Sequence, residues 1–152
     1  DLALPGGRQD QYAAAFGGVN YIEFLPGDHV VVNPLRVKDW VLSELEASTV
    51  LYYSGVARDS GRIIVEQARR MQADDATALA ALLELKDEAR RMKECILRGD
   101  LVTLAASMRR GWDAKQRTAS AVSNTVVDRA IAAAMDAGAA AGKVSGAGAV
   151  AS

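Results

Sequence analysis

With 152 residues, half of them apolar, the chain has the material for one ordinary domain with a real core. Its 18 basic and 19 acidic residues are well mixed and sum to a formal charge of -1, which gives no electrostatic footprint for nucleic acid or an anionic membrane. Cys95 is the only cysteine and His29 the only histidine, so neither an internal disulfide framework nor a Cys/His zinc site can be built, and a reducing cytoplasm is the compartment that fits.

No apolar run approaches the roughly 18 residues of a membrane span, and the N-terminus lacks the basic-then-apolar layout of a signal peptide. In chain order the first element is a short helix inside "GGRQDQYAAAFGG", residues 6–18, flanked by glycine pairs. "VNYIEFLPGDHVVVNPLRV" predicts a hairpin: β-prone runs at Val19 to Phe24 and His29 to Val32 surround a Leu-Pro-Gly-Asp turn. "VKDWVLSELEAS" has helical spacing at Val41, Leu42 and Leu45, and "TVLYYSG" reads as a third strand.

From Ser60 onward the pattern is helical. Ile64, Ala68 and Met71 fall on one face, and Leu82, Leu85, Ala89, Met92 and Ile96 form a second apolar stripe. Asp100 is placed to cap a helix lined by Leu101, Leu104, Ala105, Met108 and Trp112, and Asn124 to cap another carrying Val127, Ile131 and Ala134. These stripes are expected to be core. The alternating charges of "LKDEARRMKE", with Arg109 and Arg110, are expected to be solvated, and Cys95 to be inert packing. An Ala-rich helix should stop at Gly142, with "KVS" opening a strand that leads into "SGAG".

Two places could carry chemistry. Glycine-rich turns expose backbone N–H groups, and a helix N-terminus adds partial positive charge, so "PGGRQDQ" and "SGAG" are candidate sites for phosphates or polar sugars. Each also has a plain structural reading: a turn for the glycines, and for Asp10 a carboxylate favoured by the helix dipole. Arg58, on the loop "SGVARDSG", suits a phosphate through its planar guanidinium or pairs with Asp59 at the surface.

"GGRQDQYAAAFGGVNYIEF" resembles the substrate segment of the GHMP-superfamily sugar kinases, most of all those acting on D-glycero-D-manno-heptose 7-phosphate. "YYSGVARDSG", then Ser123 and Asn124 opening a helix, then "AGKVSGAG" agree with the same family in the same order. The resemblance implies an α+β fold, a small antiparallel sheet packed against about four helices. Residues 1–35 would form the end of a substrate-side segment and 36–152 a C-terminal domain. It implies ATP as phosphoryl donor, a sugar phosphate as partner, and Asp10 beside the acceptor hydroxyl. Gly6, Gly7, Arg8, Gln9 and Gln11 would surround the sugar, Arg58 or Arg8 would hold its phosphate, and Ser145, Gly146, Ala147 and Gly148 would form a phosphate loop.

The chain departs from the family in two respects. The Gly-Leu-Gly-Ser-Ser type loop for the ATP phosphates, and the residues expected to hold magnesium, have no counterpart in this sequence. The glycines and Phe that continue the last loop in the family are replaced by Ala149, Val150, Ala151 and Ser152. A Gly-Gly-Gly-Phe run written GGC-GGT-GGC-TTC and read one base late encodes Ala-Val-Ala-Ser. The expectation is therefore a fragment of a kinase, inactive by itself.

Overall fold

The computed structural model describes residues 8–53 and 60–145, with the side chains of Ser60 and Arg62 left out. Among them lie six α-helices, a two-stranded antiparallel sheet and one short 3-10 turn, so the expected α+β class is borne out. The elements are α1 (Gln9–Phe16), β1 (Asn20–Phe24), β2 (Val30–Pro34), α2 (Asp39–Ser48), α3 (Ser60–Gln72), α4 (Ala76–Arg98), α5 (Leu101–Thr118), the turn at Ser120–Val122, and α6 (Thr125–Asp136).

An antiparallel pair, α4 and α5, organises the helical layer. Asp75 caps α4 by accepting from the N–H groups of Thr77 and Ala78, and Asp100 caps α5 by accepting from Thr103 N–H. Between the helices the chain reverses at Gly99, in the left-handed region at φ +74°, and the Asp100 N–H returns to the Cys95 carbonyl at 2.9 Å. A side chain at Gly99 would run into Cη2 and Cζ2 of the Trp40 ring, so the turn is also the bed on which α2 lies through Trp40 and the fully buried Val41.

The line of α4 nearest α5 differs from the expected stripe. Ala78, Ala81, Glu88 and Cys95 are buried, whereas Leu82, Leu85, Met92 and Ile96 flank them half-buried and Ala89 is exposed. On α5 the buried residues are Leu104, Ser107, Gly111, Trp112, Ala114 and Thr118. Small residues on both sides let the helices approach closely, and the leucines close the edges of the groove.

Ile63, Trp112, Ala119, Val122 and Val127 form a second core, with Ala121, Ile131 and Val144 packed against it. It joins α3, α5, the 3-10 turn and α6. Asn124 caps α6 as expected, its Oδ1 accepting from Val126 and Val127 N–H at 3.0 Å. On α3 the inward residue is Ile63, and Met71 and Ala68 are exposed. Polar groups continue the α3 contact. Gln67 Nε2 donates to Thr118 Oγ1 at 2.5 Å, and Glu66 accepts from the N–H and Oγ of Ser120 at 2.9 and 3.0 Å. Of the expected Ile64–Ala68–Met71 face only Ile64 is half-buried, and Glu66, Gln67 and Arg70 make the contacts with α5 and its C-terminal turn.

Two boundaries also move. Helix α6 ends at Asp136 with Gly138 at φ +101°, four residues before Gly142, and residues 137–145 form neither helix nor strand. Gly142 instead sits against Ile131, whose Cγ2 would lie 3.3 Å from an added Cβ. The segment Thr49–Tyr53 pairs with neither described strand, so the third strand expected there is absent from the described residues.

Candidate functional site

The segment Arg8–Gln11 starts α1, and α1 is held by the hairpin. β1 and β2 pair in the register Asn20↔Pro34 to Phe24↔Val30. Their turn places Gly27 at φ +73° and Asp28 at φ +59°, a conformation that Asp tolerates better than most residues, and Leu25 N–H donates to the His29 carbonyl at 2.9 Å. Alternation along β1 puts Phe24 on one face and Tyr21 on the other. Tyr21 lies under Lys93 of α4, with Nζ 4.3 Å from the ring centre, which sets the hairpin on the helical layer. Asn33 Nδ2 donates to Glu23 Oε2 at 3.2 Å on that same face.

Phe24 receives α1. The Tyr12 ring meets it edge-on at 5.8 Å between centroids, and Tyr12 stacks with Phe16 at 6.4 Å. Arg8 closes the group: its guanidinium carbon stands 5.5 Å over the Phe24 ring, and Nη1 donates to Asp28 Oδ1 at 3.2 Å. Neither Phe24 nor Asp28 is recognisable from sequence as a partner of Arg8. The Leu-Pro-Gly-Asp turn was legible, but which residue it would face, 20 positions back, was not.

Asp10 sits in the first turn of α1, exposed together with Gln9 and Gln11. The α1 N-cap, Arg8, makes no side-chain cap hydrogen bond, and the Asp10 carboxylate in the first turn is exposed. Ser145 is exposed at the end of the described residues. Gly6, Gly7, Arg58, Gly146, Ala147 and Gly148 lie outside them. What the described structure brings together is therefore Arg8, Asp10, Gln9 and Gln11 on one short helix resting on the hairpin.

The strongest electrostatics lie elsewhere. Glu88, 5 % exposed, accepts from Arg110 and from the Ser107 hydroxyl, and the Arg110 guanidinium holds its carboxyl below the usual carboxylate range. Glu88 is thus not the solvated charge expected of this stretch, and Arg110, 43% exposed, is paired with it. Because α5 passes directly over Glu88, its buried carboxylate is tolerated there only with hydrogen-bonding partners of this kind. Hydrogen bonds from the Ser120 backbone lower the Glu66 carboxyl, the Arg70 side chain lowers Asp75, and burial raises the Cys95 thiol. Among the described residues no cluster of three His, Cys, Asp or Glu side chains could hold a metal ion. The magnesium implied by the resemblance has no donor set there.

Residues 92–151 match the family described as GHMP kinases C terminal. Over 149 residues, 98% of this chain and 43% of the relative, the sequence is 44% identical to a D-glycero-alpha-D-manno-heptose 7-phosphate kinase of Campylobacter jejuni. It is 27% identical over 141 residues to an L-fucokinase/L-fucose-1-P guanylyltransferase of Bacteroides fragilis, covering 86% of this chain and 14% of that one. The crystal structure of a D-glycero-D-manno-heptose 1-phosphate kinase from Bacteroides thetaiotaomicron superposes with a TM-score of 0.65 at 40% identity, over 94% of this chain and 36% of that one. The chain thus spans less than half the length of these relatives. Taken with the α4–α5 layer and the hairpin, these matches make the chain similar to GHMP kinases over most of its length, with the C-terminal family model matched over residues 92–151.

Proposed function

We propose that this chain is part of an ATP-dependent kinase that phosphorylates the anomeric hydroxyl of D-glycero-D-manno-heptose 7-phosphate, and that the activity belongs to a longer polypeptide. The observation that supports this reading is the 44% identity to a heptose 7-phosphate kinase, which runs over 98% of the chain and so includes the Gly6–Gln11 segment.

In this reading Asp10 faces the acceptor. Phosphoryl transfer has a loose transition state, so the protein contributes mainly by placing the acceptor oxygen in line with the γ-phosphate, while a carboxylate orients or removes the hydroxyl proton. An exposed Asp on the first turn of a helix is suited to this, because its carboxylate is open to an incoming sugar. Gln9 and Gln11 offer amide groups to other hydroxyls. Arg8, braced by Asp28 and Phe24, and Arg58 are the candidates for the 7-phosphate. Ser145–Gly148 would approach the nucleotide phosphates through backbone N–H groups. The nucleotide's magnesium would be held by residues beyond this chain, and none of these roles depends on it.

The match to an L-fucokinase supports a second reading, a sugar 1-kinase for an unphosphorylated sugar. Assaying the complete enzyme on heptose 7-phosphate, fucose and galactose separates the two. Anomeric phosphate formed on heptose 7-phosphate, with Arg58→Ala raising KM for that substrate alone, supports the first. Equal turnover of unphosphorylated sugars, insensitive to Arg58→Ala, overturns it.

A further inference from the structure

Asp28 stands at the tip of the β1–β2 hairpin at φ +59°, directly after Gly27 at φ +73°. Asn or Gly fills a left-handed turn position as readily as Asp, so the turn itself does not call for a carboxylate. Stability does not call for one either. The Asp28 side chain is 91% exposed and that of Arg8 48%, and an ion pair so open to water contributes little. What the carboxylate has is a defined partner: it accepts from Arg8 Nη1 at 3.2 Å, 20 residues back along the chain.

Arg8 is fixed at both of its ends. Its backbone carbonyl accepts from Tyr12 N–H at 3.3 Å, which ties it to the first turn of α1. Its guanidinium carbon stands 5.5 Å from the centre of the Phe24 ring while Nη1 reaches Asp28, so the ring limits the group on one side and the carboxylate holds it by a hydrogen bond. Phe24 is itself met edge-on by Tyr12, so the ring that receives Arg8 is held by the same helix that Arg8 opens. A long side chain with many rotamers is thereby kept to one region at the start of the helix that carries Gln9, Asp10 and Gln11. An arginine placed in advance meets an anion without first losing that freedom, and its planar fork suits a phosphate.

We infer that Asp28 is a positioning residue for the sugar phosphate: it fixes the Arg8 guanidinium against Phe24, and Arg8 so fixed takes the anionic group of the substrate. The inference rests on the proposed reading of the chain as part of a sugar phosphate kinase and adds to it a residue outside the Gly6–Gln11 segment. Asp28 touches neither the substrate nor the reacting atoms in this role. It therefore acts on binding of the sugar phosphate and leaves the transfer step and the nucleotide alone.

The test is a set of variants in the complete enzyme, assayed on D-glycero-D-manno-heptose 7-phosphate. Asp28→Gly keeps the left-handed turn and removes the carboxylate, whereas Asp28→Asn keeps both the turn and an acceptor oxygen. Asp28→Gly should raise KM for the sugar phosphate on the order of two- to tenfold, with kcat and the KM for ATP unchanged, and Asp28→Asn should restore most of the loss. In an Arg8→Ala background, Asp28→Gly should have no further effect, because its action runs through Arg8. An unchanged or lower KM in Asp28→Gly, beside a raised one in Arg8→Ala, overturns this inference and leaves the proposed function standing. An effect of Asp28→Gly that persists undiminished without Arg8 overturns it too, and so does a fall in kcat or a rise in the KM for ATP, either of which assigns Asp28 to folding. Absence of turnover on heptose 7-phosphate in the unsubstituted enzyme overturns the proposed function, and this inference with it.

Discussion

Arg110 grips Glu88 across the α4–α5 contact with two hydrogen bonds, Nε to Oε1 at 2.7 Å and Nη2 to Oε2 at 3.0 Å. Glu88 is buried, so its charge is tolerated only because Arg110 and Ser107 satisfy it. Arg110→Ala should therefore destabilise the chain by about 2–3 kcal/mol, toward the lower end for a broken buried pair because Arg110 itself is 43% exposed. Glu88→Gln, which keeps the shape and the Ser107 bond, should cost less. Urea titrations of both variants check this, and an Arg110→Ala midpoint equal to that of the unsubstituted chain would refute it.

The same pair carries a pH dependence of definite sign. The carboxyl of Glu88 is lower in the folded chain than its ordinary value of 4.5, so the unfolded chain takes up a proton that the folded chain refuses. The stabilisation is complete above that ordinary value and is lost as pH falls through the folded one. Glu66, Asp75 and Asp100 shift in the same direction. Thermal melts from pH 7 downward should show stability falling below about pH 4.5, with a shallower fall in Glu88→Gln. Equal slopes in the two proteins would contradict the assignment.

Gly99→Ala meets two obstacles, a positive φ of +74° and the Trp40 ring, into which the new Cβ would run. The first costs about 1 kcal/mol and the second adds to it, because α2 must shift off the turn. Adding Trp40→Ala, at a residue that is half exposed, removes the clash but not the backbone strain. The double variant should thus lose less than the sum of the two single ones, a non-additivity that denaturant melts would resolve.

Asn124→Ala removes a side chain that satisfies two amides at the start of α6 and should cost about 1 kcal/mol. Asn124→Asp, which keeps an acceptor beside the helix N-terminus, should restore most of it. A difference of less than a few tenths of a kcal/mol between Ala and Asp at this position would show that the cap contributes nothing.

In the complete enzyme, Asp10→Asn should lower kcat by at least about a hundredfold, the usual scale for a positioned acid or base, and leave KM for the sugar nearly unchanged. Near-normal turnover would remove Asp10 from the role proposed for it.

Much of this was readable from sequence where the signal was local. The hairpin around Leu25–Asp28 and the caps Asp100 and Asn124 stand where turn and cap chemistry put them. Apolar spacing found α4 and α5 but misjudged their contact, because the residues nearest the partner helix are Ala78, Ala81 and Glu88, which a hydrophobic stripe passes over. The buried position of Glu88 depends on Arg110, 22 residues on, and no local pattern reveals such a pair. Strand propensity at Val50–Tyr53 was plain, but a strand needs a neighbour, and the described chain provides none there. In the candidate site, Asp10 was marked by its segment, while the Phe24 and Asp28 support for Arg8 emerges only when the hairpin folds back on α1.

Cys95 lies on the buried line of α4, just before the Gly99 reversal, and burial makes its thiol reluctant to ionise. The chain's only sulfhydryl is therefore shielded where α4 turns into α5. A thiol reagent would have to wait for this end of the helix pair to part, so its rate of labelling counts those openings with no probe introduced.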